Sequence, residues 1–491
     1  MDSSTGKIIF TKSQQKAFDK IISFIESRNQ KVFILKGYAG TGKTTMVRAI
    51  IAELISQEKP FTLLASTGRA AKILSDSANK ITKDDNDDYV LLQAKTIHSE
   101  IYTFGGLNQE LDLFGQPNRN SELGTDKGIK LRFVLKHKVS FTHTIYIVDE
   151  ASMISDISSK YSSQAVYGID GKLLSDLLEY DENGQFIFIG DSCQLPPINQ
   201  SFSPALSKEY FYTQFNIDAD EAELTDIVRQ SSGNDIALSA SVIRKRIFSQ
   251  SFYNVAKLKF RGYKNIKVLS SEVEMLKLYI ESVRLNGYTK STLITMSNRK
   301  IADTSTIIRY SLQLGNSNLS VNDLLLVTQN NSITGLMNGD LVSVLQIKHK
   351  ERRAGLTFVS VEVESLATKR VYNSLLIEEI LYSGLTNITQ TQQTHIMIDF
   401  HYRMKEIGIK QHSEEYDRKM MKDDYLNALR CVYGYVLTCH KAQGGEWDNV
   451  FLLIPRNMPY MKPQSFIYQW VYTAMTRAKQ TLYVINDYWV E

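Results

Sequence analysis

The chain has 491 residues, 43% of them hydrophobic and 22% charged, with a net charge of only +4. This length points to two to four domains, and the composition is that of a globular protein, which excludes a disordered or fibrous chain. The charge is too small to mark a nucleic-acid binder in bulk, so any basic surface must be local.

Phe10 to Phe18 opens a helix, with Thr11 placed as its N-cap and Phe18, Ile21, Ile22 and Ile25 at helical spacing. Gln14, in the first turn, carries an amide that can pair with an adenine edge; taken alone it reads as a surface glutamine. Val32 to Leu35 predicts a short buried strand, and Met46 to Ile55 a helix with Val47, Ile50, Ile51 and Leu54 on one face. Between them stands Gly37-Tyr38-Ala39-Gly40-Thr41-Gly42-Lys43-Thr44-Thr45. This is the phosphate-binding P-loop pattern in the strand–loop–helix context it requires. Its glycines let backbone N–H groups face phosphates, Lys43 adds a full positive charge, and Thr44 offers a hydroxyl to Mg²⁺.

Phe61 to Ala65 predicts a second strand, ending in Ser66-Thr67-Gly68-Arg69-Ala70-Ala71-Lys72. That hydroxyl-rich turn suits either a capped helix or a grip on a phosphate backbone. Asp84 to Asp88 reads as a solvated acidic loop, and His98 alone reads as structural. Residues 99–140 are broken by Gly105-Gly106, Gly115 to Asn118 and Gly124-Thr125, and turn basic at Lys127, Lys130, Arg132, Lys136 and Lys138. They read as a small insertion in a larger α/β domain.

Thr144 to Val148 is a predicted strand delivering Asp149-Glu150, and Phe186 to Ile189 another, delivering Gly190-Asp191-Ser192-Cys193-Gln194. Ligands of open parallel sheets sit at such C-terminal strand ends. Downstream of a P-loop, Asp149 can hold the Mg²⁺ shell and Glu150 can deprotonate a water, while Gln194 is placed to report on a γ-phosphate. Glu223 to Gln230 carries Arg229 and reads by itself as a surface segment. Ser291 to Thr295 and Ile301 to Leu312 begin a second α/β unit, which has no P-loop of its own. Leu324 to Thr328, Leu341 to Ile347, Thr357 to Val363 and His395 to Phe400 read as strands of a small inserted barrel, and residues 402–424 as a helical connector. The α/β pattern resumes at Tyr435 to Trp447. It continues with a strand from Val450 to Ile454, Tyr472-Thr473-Ala474-Met475-Thr476-Arg477-Ala478-Lys479, and a closing strand from Thr481 to Ile485.

The three cysteines, Cys193, Cys431 and Cys439, have no metal-ligand spacing and argue against a disulfide framework. The first residues carry no apolar signal segment, and no stretch approaches the roughly 18 apolar residues of a membrane span. A cytoplasmic location is the expectation.

With this ordered set of motifs, from residue 10 to residue 480, the chain resembles superfamily 1 helicases, in the 5′→3′ branch of RecD- and Dda-like enzymes. The pieces that carry the resemblance best are Gly37 to Thr45, Asp149 to Met153, Gly190 to Pro196, His440 to Glu446 and Tyr472 to Lys479. It implies an α/β fold of two RecA-like P-loop NTPase domains in tandem, with ATP and Mg²⁺ clamped between them. The first would comprise residues 1–98 and 141–235, with a wedge insertion at 99–140. The second would comprise 236–322 and 425–491, with an SH3-like insertion at 323–424. The nucleotide would be held by Gln14, Gly37, Gly40, Thr41, Gly42, Lys43, Thr44, Thr45 and Glu446, and the metal by Thr44 and Asp149. Glu150 would be the base and Gln194 the coupling residue. Arg229 and Arg477 would reach across as arginine fingers. Ser66, Thr67, His98, Thr438, His440 and Lys441 would line a single-strand channel. Phe104 and Phe114 are candidate wedge-tip aromatics, with hydrophobic anchoring the other role open to each.

The implied activity is ATP-dependent 5′→3′ translocation on single-stranded DNA with unwinding of duplexes, in replication, recombination or repair. Its partners would be single-stranded DNA and single/double-strand junctions, and possible protein partners are a single-strand-binding or replication/recombination factor. A monomer suffices, and no nuclease activity is expected. The alternative is a DNA-stimulated ATPase that clamps a single strand without separating duplexes.

Overall fold

The computed structural model describes residues 9–79, 91–107, 131–138, 142–158, 165–226, 234–249, 255–315, 318–411 and 413–491. Phe114, Asp84 to Asp88, Lys127, Lys130 and Arg229 lie outside them.

The first sheet forms where apolar runs are flanked by turn residues. Its strands are β1 (Val32–Gly37), β2 (Phe61–Ala65), β3 (Lys95–Thr96), β6 (Ile145–Asp149), β8 (Gln185–Gly190) and β9 (Asp220–Leu224). They lie parallel in the order β3-β2-β6-β8-β1-β9. Both faces of β1 and β8 are covered, which is why these strands read as continuous apolar runs instead of alternating. Helix Lys12–Ser27 packs on one face through Ala17, Ile21, Phe24 and Ile25, and helix Lys43–Ser56 through Met46, Val47, Ile50, Ile51 and Leu54. The crossover order brings the C-terminal ends of β1, β6 and β8 side by side, so the loops they feed share one edge.

Strands β4 (Tyr102–Leu107), β5 (Leu131–Leu135) and β7 (Ala165–Tyr167) form a separate small sheet, β4 antiparallel and β7 parallel to β5. Its third strand comes from beyond residue 140, so the insertion borrows structure from the following segment. Phe104 meets Phe133 edge-on at 5.8 Å and packs with Leu131 against Met397, Phe400, Met404, Tyr416 and Met420. It therefore anchors the insertion to a distant part of the chain.

The second parallel sheet contains β10 (Ile266–Leu269), β11 (Ser291–Thr295), β17 (Val436–Thr438), β18 (Trp447–Leu453) and β19 (Ala478–Ile485), in the order β10-β19-β18-β11-β17. The two parallel sheets, the first led by the P-loop strand, match the tandem RecA-like fold. Between β11 and β17 the chain builds an antiparallel sheet from β12 (Leu324–Val327), β13 (Leu341–Arg353), β14 (Leu356–Ser365), β15 (Val371–Ile377) and β16 (Cys431–Tyr433), in the order β15-β14-β13-β12-β16. A bridge between Leu376 and Leu429 ties its outer strand back to the segment that enters β16.

One predicted strand is corrected. His395 to Phe400 lies inside the helix Gln390–Glu406. Thr389 and Gln392 form a capping box at its start, and Ile396, Met397, Phe400 and Met404 are buried along one stripe. The short window His395-Ile396-Met397-Ile398-Asp399-Phe400 hides that period. Among the described residues no helix is long and apolar enough to cross a membrane.

Candidate functional site

The chain turns sharply at the end of β1. Gly40 and Gly42 hold φ of 81° and 86°, the left-handed region that a side chain disfavours. A Cβ on Gly42 would also stand 2.3 Å from Gln14 Nε2. The reading of Gln14 as a surface residue is therefore corrected: it is only 3% exposed. Its Oε1 accepts the Thr11 N–H at 2.9 Å, closing the capping box, and its Nε2 donates to the Thr41 carbonyl at 2.9 Å. The glutamine fixes the height of the P-loop above the helix. Lys43 Nζ donates to the Gly37 and Tyr38 carbonyls at 2.7 and 3.2 Å, so its ammonium caps the loop. Thr41 is buried, its hydroxyl donating to the Tyr38 carbonyl, while Thr44 is exposed and Thr45 half-buried in the first helical turn.

Asp149 ends β6 and Glu150 follows with φ 50°, ψ 41°, a conformation few non-glycine residues hold. The turn is pinned by Asp149 Oδ1, which accepts the Glu150 N–H at 2.8 Å. Burial, with Glu150 close by, pushes the Asp149 carboxyl up to about 6, opposed by the Lys43 charge. Glu150 Oε2 and Gln194 Oε1 are both buried without a hydrogen-bond partner. Lying on neighbouring strand ends, these two acceptors are open to a polar ligand. The Thr44 hydroxyl and the Asp149 carboxylate are donors of the kind a Mg²⁺ ion takes. Such an ion needs one or two carboxylates and takes its remaining ligands from water and phosphates.

The second half meets this edge. Ala39 and Gly40 share a cavity of about 240 Å³ with Asn234, Ile236, Ala237, Glu446, Thr476 and Lys479. Glu446 and Lys479 are 3.7 Å apart. Arg477 is buried beside them, its Nε donating to the Thr473 carbonyl at 3.0 Å and its guanidinium also reaching the Gly445 carbonyl and the Thr476 hydroxyl.

Several contacts across the cleft carry no signal in the sequence. Tyr472 touches both Ala39 and Asp191. The Arg244 guanidinium, on helix Ile236–Phe248, lies 3.8 Å from the Tyr38 ring centre. Arg69 lies 4.2 Å from the Trp447 ring centre, and burial lowers its pKa to about 10, with Asp340 opposing and Arg477 adding to the shift.

The residues expected to line a single-strand channel lie on two turns, one in each half. Thr67 caps helix Gly68–Ala78 by accepting the Ala70 N–H, and Thr438 caps Cys439–Ala442 by accepting the Lys441 N–H. Ser66 Oγ and Lys72 Nζ are buried without a hydrogen-bond partner, although Asp76 and Asp340 lie near enough to act on the Lys72 charge. A Cβ on Gly444 would stand 3.4 Å from Ala70 Cβ and 3.7 Å from Thr67 Oγ1, so the two turns adjoin. His98 stands apart in character. Its ring packs with Tyr102 and Tyr167 at 5.7 and 4.9 Å, and burial lowers its pKa to about 4. His440 is also lowered by burial.

Burial lowers Lys441 to about 8 despite the opposing effect of Cys431. A lysine so depressed is charged below pH 8 and loses its charge above it. If Lys441 meets a phosphate, affinity for single-stranded DNA at constant salt is expected to fall about tenfold from pH 7 to pH 9, proton uptake on binding rising from near zero to nearly one across that range. Lys441→Arg should flatten that profile, since arginine does not titrate there. A fluorescence-anisotropy titration at the two pH values checks it; equal slopes for both proteins would remove Lys441 from the strand contacts.

Two family models match the chain: an AAA domain over residues 20–200 and a UvrD-like helicase C-terminal domain over residues 433–485. Among curated relatives, an uncharacterised protein of Methanocaldococcus jannaschii is 23% identical over 97% of this chain, which spans 38% of that protein's length. A protein of Acanthamoeba polyphaga mimivirus is 24% identical over 96% of this chain and 99% of its own length. The RecBCD enzyme subunit RecD of Buchnera aphidicola is 23% identical over 97% and 74%. Solved structures with a similar course include Pif1 helicase from Bacteroides in complex with ADP-AlF3 and single-stranded DNA (16% identical, 98% of this chain and 93% of that one, TM-score 0.44). Pif1 helicase from Candida albicans is another (17%, 98% and 95%, TM-score 0.41). The AAA match lies on the half that bears the P-loop and the acidic pair, and the UvrD-like helicase match on the half that bears Glu446 and Arg477, so the two matched regions fall one on each side of the cleft.

Proposed function

We propose that this chain is an ATP-dependent DNA helicase that moves 5′→3′ along single-stranded DNA and separates duplexes. The observation that carries the reading is the cleft. One P-loop serves two parallel sheets, and its open side faces Glu446, Thr476 and Lys479 of the other half across a cavity of about 240 Å³. A nucleotide in such a place touches both halves, so binding and hydrolysis change their separation.

In this reading Lys43 leaves its loop carbonyls for the phosphates, and Gln14 releases the Thr41 carbonyl to offer its amide to the adenine. Glu446 lies near the ribose. Thr44 and Asp149 would hold Mg²⁺, which supplies charge neutralisation of the phosphates when bound. Glu150 accepts the proton of the attacking water, and Gln194 senses the terminal phosphate. Arg229 and Arg477 are the proposed fingers. Ser66 and Thr67 on one side, and Thr438, His440 and Lys441 on the other, alternate in holding the strand by sequence-independent contacts. His98 is the weakest of the proposed strand contacts, because its ring is engaged with two tyrosines. The antiparallel insertion is proposed to be SH3-like, the protein to work as a monomer on strands and forks, and its location to be cytoplasmic.

The test is a fluorescence unwinding assay on duplexes bearing a 5′ or a 3′ single-stranded tail. ATP-dependent opening of the 5′-tailed duplex is the expected result. Opening only of the 3′-tailed duplex would overturn the polarity. DNA-stimulated ATP hydrolysis with neither duplex opened would favour a strand clamp.

A further inference from the structure

Tyr472 is wholly buried at the seam of the two halves. Its hydroxyl oxygen accepts the Ala39 N–H at 2.9 Å and its O–H donates to Asp191 Oδ2 at 2.8 Å. Asp191 Oδ1 in turn accepts the Cys193 N–H at 3.0 Å, which fixes the turn leading to Gln194. The neighbour of Tyr472 grips the same turn: Thr473 Oγ1 accepts the Leu195 N–H at 2.8 Å, while Gln443 Nε2 donates to the Leu195 carbonyl at 3.1 Å. On the other side, Tyr38 lies under Arg244 and its hydroxyl bonds to Glu223. The dipeptide Tyr38-Ala39 is thus held from the second half at two points, and one of them continues by hydrogen bonds into the turn after β8.

Backbone N–H groups of a P-loop turn inward to meet phosphate. Any reorientation of the Ala39 peptide strains a buried phenol that has one donor and uses its oxygen as acceptor as well. Lone replacement of either bond leaves a polar atom orphaned in a dry seam, so the groups move together or not at all.

We propose that Tyr472 is a positioning residue that transmits the occupancy of the P-loop to the Gly190–Pro197 turn, with Arg244 holding the loop's Tyr38 as the second point of contact. The inference rests on the nucleotide-binding part of the reading above and needs no DNA. It makes the Gln194 turn answer to nucleotide through the partner half as well as through direct contact.

The test is hydrogen exchange of the full chain with and without a non-hydrolysable ATP analogue, followed in peptides covering residues 37–45 and 190–197. In the native protein the analogue is expected to change protection in both. In Tyr472→Phe, which keeps the ring and removes the hydroxyl, the change in 37–45 remains and that in 190–197 falls by at least about half. Asp191→Asn cuts the same path at its far end and should give the same pattern, which guards against one variant that fails to fold. A purely structural role would alter protection equally with and without nucleotide. An undiminished response at 190–197 in both variants, or none in the native chain, overturns the proposal. Loss of all response at 37–45 in the native chain overturns nucleotide binding and the proposal together, whereas failure to unwind tailed duplexes overturns only the helicase reading.

Discussion

Glu150→Gln is expected to lower kcat for ATP hydrolysis by about 10²–10⁴-fold, the usual contribution of a general base, with KM for ATP nearly unchanged. The expectation follows from how the residue is held. Glu150 occupies left-handed backbone at the end of a buried strand, and Asp149 fixes its amide. Its Oε2 is buried with no hydrogen-bond partner, so no other side chain occupies it. Glutamine matches its volume and keeps the turn, but cannot take a proton from water. Lys43→Ala should behave differently. It removes the ammonium that donates to the loop carbonyls of Gly37 and Tyr38, so it should weaken nucleotide binding itself. Single-turnover hydrolysis and binding of a fluorescent nucleotide separate the two. Normal kcat in the glutamine variant would reassign the base.

The parts of the site that local chemistry dictates were legible in the sequence. A P-loop needs its glycines, lysine and threonine in fixed order, and an acidic pair at a strand end is visible because the strand is a short apolar run. The capping of Lys12–Ser27 by Thr11 was equally local. The burial of Gln14 was not, because it depends on a loop 27 residues away closing over the amide. The same holds more strongly for Tyr472 and Ala39, which are separated by 433 positions. Neither Arg244 on Tyr38 nor Arg69 on Trp447 leaves a mark on spacing, since a cation over a ring needs only that two surfaces meet. The helix Gln390–Glu406 was misread for a different reason: the window Ile396-Met397-Ile398 carries no clear period, and the decisive Thr389–Gln392 capping box lies before it. The small sheet escaped for yet another, since its third strand, Ala165–Tyr167, arrives from beyond the glycine-punctuated stretch.

Asp323→Ala is expected to destabilise the second half by about 3–5 kcal/mol, the cost of removing one member of a buried ion pair. Asp323 is fully buried where the antiparallel insertion leaves the second α/β unit. Its carboxylate accepts Arg309 Nε at 2.7 Å and Nη2 at 2.9 Å, the Ser320 N–H at 2.7 Å and the Tyr435 hydroxyl at 2.7 Å. Arg309 comes from the helix Asn298–Ser311, and Tyr435 from the segment that leads back into the parallel sheet. One carboxylate thus joins the exit of the insertion, its return and the neighbouring helix. Alanine strands the guanidinium charge in a low-dielectric site and leaves Tyr435 and Ser320 short of an acceptor. Replacing both partners with apolar residues, Arg309→Met with Asp323→Leu, should cost much less, because no buried charge remains. Thermal unfolding checks this as a large drop in Tm for the single variant and a partial recovery for the double. Equal losses in both would mean that the network acts through its hydrogen bonds and shape and not through the charge of the pair.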